Sequence, residues 1–203
     1  MSFHQGDRLF REFPLENYLR AISESMEDAI EHLRFDEIEG REDVLAEELA
    51  AKYKPIIPEI FEDQMKLDIQ EAKVTLSGGD SRFDYDDGPV TVNGLSVTVE
   101  IPFKGDSRLF QCMPSTYTVS GTPEANLRDS QLILNYETTE KKDHDKIKSL
   151  WMGDIKTIKD YLSWIERDMA RFNDSIKNNI MAALRRRKKE ASDTQELINK
   201  LKQ

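Results

Sequence analysis

The stretch WMGDIKTIKDYLSWIERDMARFNDSIKNNIMAAL, residues 151–184, decides how the rest of the chain is read. Its apolar residues fall at Trp151, Ile155, Ile158, Leu162, Ile165, Met169, Phe172, Ile176 and Ile180, at intervals of 4, 3, 4, 3, 4, 3, 4 and 4. Each step returns to the same side of a 3.6-residue helix, so about three and a half heptads of seam run down one face. The last interval is 4 where 3 was due, as at the start of a stutter. A seam this long suits an extended partner, and the helices that can be read upstream are short. Ile155, Ile158, Leu162, Ile165, Met169, Phe172 and Ile176 are therefore expected to form an interface with a second copy, giving a dimer.

Working outward, Leu19, Ile22, Met26, Ile30 and Leu33 recur at helical spacing after Pro14, which suits the start of a helix. Gly40 breaks that helix, and Val44, Leu45, Leu49 and Tyr53 mark a second one before Pro55 and Pro58 enforce extension. The period then changes to 2. Met65, Leu67 and Ile69 alternate, and Ala72, Val74 and Leu76 alternate in the opposite phase, which predicts one long bent strand with a bulge near Gln70 and Glu71. In Val90-Thr91-Val92-Asn93-Gly94-Leu95-Ser96-Val97 the Asn-Gly pair predicts a type I′ hairpin, pairing Val92 with Leu95 and Val90 with Val97. Val99, Ile101 and Phe103 extend the buried face. Leu109 and Phe110 read as an apolar plug, and Thr116 to Ser120 and Gln131 to Glu137 as two more strands. Within the long helix, Gly153 is a candidate break, with Asp154 as the cap of a new start.

The fold class that follows is α+β: an N-terminal helix pair, a mostly antiparallel sheet of four or five strands, and a long C-terminal helix with a heptad-like seam. Residues 1–140 are expected to form a helical arm plus sheet body, and 141–203 a helical extension. The helical pattern is still running at Gln203, as it would be in a piece of a longer protein.

Charge divides along the same line. Residues 1–140 hold 13 Lys and Arg against 29 Asp and Glu, whereas residues 141–203 hold 16 against 10. An acidic body with a basic helix disfavours nucleic-acid binding by the chain as a whole and favours docking of the helix on an acidic surface. The single Cys112 excludes an internal disulfide, and no apolar run approaches the roughly 18 residues of a membrane helix. With no leader pattern at the N-terminus, a cytoplasmic protein is expected.

Chemistry is thinly represented. His4, His32 and His144 are scattered, and with one cysteine they cannot supply the three or four converging ligands of a zinc site. No nucleophile elbow or Gly-rich phosphate loop is present, so no catalytic residue, metal or cofactor is assigned. Trp151 and Trp164 read as packing residues. Asp80, Asp84, Asp86 and Asp87 crowd oxygens that a hard cation accepts, but without calcium-loop spacing. Two alternatives to an interaction role remain. Arg185, Arg186, Arg187, Lys188 and Lys189 are candidate phosphate contacts of a nucleic-acid-binding helix. Glu71 and Lys73, downstream of Asp63 and Asp68, carry the Glu-x-Lys element of metal-dependent nucleases.

Ile101-Pro102-Phe103-Lys104-Gly105-Asp106-Ser107-Arg108-Leu109-Phe110, then Met113-Pro114-Ser115, Tyr161-Leu162, Phe172-Asn173 and Arg185-Arg186-Arg187, resemble a region of bacterial multidomain anti-phage defence proteins that carry nuclease-like or TIR-like effector domains. The resemblance spans about residues 95–190. It implies a non-catalytic module that senses, scaffolds or oligomerises, with the chemistry on another domain. Where that pattern continues into a short apolar segment containing Gly and Pro, this chain has Glu, Gln and Lys instead.

Overall fold

The computed structural model describes residues 6–76, 90–116, 121–139, 141–142 and 144–201, and the chain is α+β. In chain order its main elements are β1 (Asp7–Arg8), α1 (Leu15–Glu31), α2 (Phe35–Ile38), α3 (Glu42–Tyr53), β2 (Glu59–Ile60), β3 (Lys66–Leu76), β4 (Val90–Lys104), β5 (Glu124–Arg128), β6 (Gln131–Thr138) and α4 (His144–Leu201). They divide into two compact units, each built from two segments of chain. One comprises Met1–Phe13 with Ile57–Ile165, the other Pro14–Ile56 with Glu166–Gln203.

The first unit is an antiparallel sheet with the leading part of α4. Strands run in the order β1-β5-β6-β4, and the far edge of β4 is shared by β2 and β3. Val97, Val99, Ile101 and Phe103 are buried on the face the alternation predicts, opposite Tyr136, Leu134 and Leu132 of β6. On α4, Trp151, Ile155, Ile158, Tyr161, Leu162 and Ile165 are all buried. Contacts identify where this helix packs: the Tyr161 ring stacks on Phe10 at 4.7 Å, and the Tyr136 hydroxyl donates to Asp154 Oδ2 at 2.8 Å. The expected apolar plug is present, with Leu109 and Phe110 buried in a 3₁₀ turn, Ser107–Phe110.

Three expectations are corrected. Asn93-Gly94 does not turn the chain. β4 runs unbroken from Val90 to Lys104, with Asn93 opposite Lys73 and Gly94 opposite Ala72. The flanking segments find partners on other strands, β3 on one side and β6 on the other, and these outweigh a local hairpin. A glycine is required there for space. A Cβ at Gly94 would fall on Val74 Cγ2 and within 2.5 Å of the Thr138 carbonyl oxygen. The two-residue hairpin that does form is Asp129-Ser130, joining β5 to β6, with φ of 47° and 62°. Two positive φ angles are the type I′ signature, carried here by a less emphatic pair.

β3 has no bulge at Gln70 and Glu71, which pair in register with Ser96 and Leu95. Its change of phase puts the two apolar sets on opposite faces, of which Val74 is inaccessible on one while Leu67 and Ile69 are 45% and 49% exposed on the other. Gly153 does not break α4 either. The helix passes through it, the Thr157 hydroxyl donates to its carbonyl, and Asp154 serves Tyr136 instead of a cap. Thr116 is not in a strand, and residues 117–120 lie outside the described residues.

The second unit is helical. α1 starts after Pro14 and α3 spans the second predicted helix, with Gly40 between them at φ 73° as the break requires. Met26 and Ile30 of α1, Ile38 of α2 and Leu45 and Ala46 of α3 form one core with Ile176, Ile180, Ala183 and Leu184 of α4; Phe172 is partly buried against it.

Candidate functional site

The seam of α4 is open to a partner only where the chain itself leaves it uncovered. Ile155, Ile158, Leu162, Ile165, Met169 and Ile176 are 0–5% exposed, and Phe172 is half-buried. The structure thus places the expected interface residues inside the chain itself. The short helices suffice in the second unit because three of them converge there, α2 adding Ile38 to the faces of α1 and α3.

The seam does not stop where its cover does. Beyond Ile180 the same face carries Leu184, Arg187, Ala191, Thr194, Ile198 and Leu201, at intervals of 4, 3, 4, 3, 4 and 3. Along that line burial decays. Ile180 and Leu184 are inaccessible, Arg187 and Ala191 are half-buried, Thr194 is exposed, and Ile198 and Leu201 are 38% and 78% exposed. Leu197, beside the seam, is 57% exposed. At the point where cover fails, a groove of about 580 Å³ is lined by Arg34, Phe35, Asp36, Arg187, Ala191 and Thr194.

The basic run just before this opening is partly committed. Arg187 Nε donates to the Leu33 carbonyl at 2.8 Å, and Lys188 Nζ pairs with Glu42 Oε1 at 2.6 Å. Lys177 pairs with Glu47 about three turns earlier. These bonds fasten α4 to the turn after α1 and to α3. Their electrostatics agree: the bond from Lys188 holds the Glu42 carboxyl below its ordinary value, and the carboxylates raise Lys188 and Lys177. Arg185, Arg186 and Lys189 are exposed and have no ion pair among the described residues.

The remaining candidates fare differently. Glu71 and Lys73 share one face of the edge strand β3, beside a groove of about 270 Å³ with Asn93 and Lys141. Glu71 is ion-paired to Lys141 at 3.1 Å. Asp68 lies on the opposite face of the strand and Asp63 in the 3₁₀ turn Glu62–Gln64, so the strand does not bring a second carboxylate beside Glu71. Among the described residues no group of three or more His, Cys, Asp or Glu is placed to hold a metal ion. Asp80, Asp84, Asp86 and Asp87 lie outside the described residues. Trp151 is buried and Trp164 packs on Tyr161 at 4.9 Å. Cys112 is buried, and desolvation, with Asp106 nearby, pushes its thiol up to about 12. Among the described residues no helix is long and apolar enough to cross a membrane.

The open end of the seam was legible in the sequence only as a terminal Leu197, Ile198 and Leu201 cluster; the register linking it to Ile180 through Arg187 and Thr194 is hidden because two of its members are polar. No family model, curated protein or solved structure matches the chain, so its functional reading rests on this geometry.

Proposed function

We propose that this chain is a non-catalytic protein-interaction module that docks through the open end of the α4 seam, Ala191 to Leu201. The observation that carries the reading is the continuation of one helical register past the last residue that α1, α2 and α3 cover, leaving the apolar Leu197, Ile198 and Leu201 exposed on a helix already formed. Such a helix offers a partner its apolar face without the cost of nucleation. Oligomerisation, and a place beside an effector domain as in the defence proteins the sequence resembles, belong to the same reading.

A photo-crosslinking residue at position 198 of the full chain, expressed in its host, tests it. A discrete adduct is expected from position 198 and none from position 196, which points away from the seam. Absence of any adduct at 198 would sink the interaction reading.

One observation supports a second reading, a phosphate contact. Arg185, Arg186 and Lys189 have no ion pair among the described residues and fall within about 100° of one another on the side of the helix away from the seam. Three cations on one face give a small electrostatic footprint, so DNA or RNA affinity should be weak and should fall steeply with salt. A salt-independent affinity would exclude it.

A further inference from the structure

The groove of about 580 Å³ between Phe35 and Arg187 contains a half-buried cation that no carboxylate of the described chain neutralises. We infer that this groove binds a small aromatic anion, with a phosphate or carboxylate on Arg187 and a ring against Phe35. The inference goes beyond both readings above, since it requires neither the exposed Leu197, Ile198 and Leu201 nor the outward cations Arg185, Arg186 and Lys189.

Arg187 carries the argument. Its Nε donates to a neutral acceptor, the Leu33 carbonyl, at 2.8 Å, and among the described residues its Nη groups meet no acceptor and its charge no counter-ion. A guanidinium drawn partly out of water without a counter-charge bears a desolvation penalty that a bound anion relieves. The planar fork suits the paired oxygens of a phosphate or carboxylate, and the Nε bond orients it before any ligand arrives. The next cation of the run, Lys188, is half-buried too, but it is already paired with Glu42 at 2.6 Å.

The rest of the lining suits the same ligand. Arg34 is a second guanidinium, and its partners Asp36 at 2.9 Å and Glu37 at 3.6 Å are surface pairs with its own side chain 71% exposed. Such pairs hold little energy and exchange readily for a ligand oxygen. Asp36 is the one carboxylate of the described lining against two guanidiniums, so the groove keeps a positive balance, and Thr194 adds a hydroxyl. Phe35 and Ala191 supply an apolar wall, with the Phe35 ring half-buried and Lys188 Nζ 6.0 Å from its centroid. The volume falls within the roughly 300–1,000 Å³ of sites for small organic ligands, and is far more than a lone ion fills.

Amide NMR titration of the isotope-labelled full chain tests the site with four probes. Adenosine 5′-monophosphate joins a ring to a phosphate and phenylacetate joins one to a carboxylate, while adenosine and inorganic phosphate each supply one half. At least one ring-bearing anion should saturably shift amides of residues 34–36 and 187–194, with a Kd at least about tenfold below that of inorganic phosphate or adenosine; the tighter of the two names the head group. Arg187→Lys, which keeps the charge and loses the fork, should weaken that probe at least about tenfold. Arg34→Gln, at an exposed position that folding does not depend on, should weaken it at least about threefold. No saturable shift at millimolar concentration would overturn the site. So would equal affinity for inorganic phosphate, or binding unchanged in both variants, because general attraction to the basic run would then suffice. Either failure leaves the crosslink at position 198, and with it the interaction reading, untouched.

Discussion

Gly94 carries the strongest local turn signal in the chain and sits in the middle of a fifteen-residue strand. Its requirement is steric, since its backbone is not in the left-handed region and a Cβ would meet Val74 and the Thr138 carbonyl. Gly94→Ala is expected to cost about 1–3 kcal/mol by overpacking. Thermal melts of Gly94→Ala, Val74→Ala and the double variant check this: coupling between the two sites is expected, and strict additivity would remove the clash from the explanation. Cys112 allows an independent reading at the same scale. Burial pushes its thiol up to about 12, so little thiolate exists at neutral pH and none of the sulfur is presented to reagent. Alkylation of the native protein at pH 8 should be about 100-fold slower than in denaturant; equal rates would show that the segment around Cys112 opens freely.

The seam of α4 sets the larger energies. Ile180 is inaccessible among α1, α2 and α3, and Ile180→Ala should destabilise by about 2–5 kcal/mol, read from denaturant unfolding. Ile165→Asp with Phe172→Asp is expected to unfold the protein, because Ile165 has no exposure within the chain. A folded double variant of reduced mass would instead return these residues to an intermolecular interface. Ion pairs along the same helix tune docking with pH. Glu42 lies below its ordinary 4.5, so its pair with Lys188 contributes above that value and is lost as pH falls through the depressed one. Lys188 and Lys177 lie above 10.5, so their contribution is complete below that value and lost as pH rises past it. The stability difference between wild type and Glu42→Gln should therefore be present at pH 7 and shrink as pH falls through the depressed Glu42 value; a difference unchanged down to strong acid would deny the pair its role.

For the whole molecule, the expected chemistry is a negative one: residues 1–203 should cleave neither DNA nor RNA with Mg²⁺, Mn²⁺ or Zn²⁺. Glu71 has Lys141 beside it and no second carboxylate on its face of β3, while cleavage of this kind needs converging carboxylates around the ion. Metal-dependent cleavage that disappears in both Glu71→Ala and Lys73→Ala would overturn the non-catalytic reading. The sequence by itself determined the class of every long element. The 3.6 period of α1 and α4 and the alternation over Val97 to Phe103 survive in the structure because amphipathic periodicity is a property of the segment that must bury it. Only the tertiary structure decided what each face meets. Asn93-Gly94 is a strand because β3 and β6 offer partners on both sides, Gly153 stays helical because the turns around it are packed, and the seam is covered by α1, α2 and α3 as far as Leu184 and no farther. Those outcomes depend on contacts between residues tens of positions apart, and a local pattern contains the demand for burial without naming the surface that satisfies it.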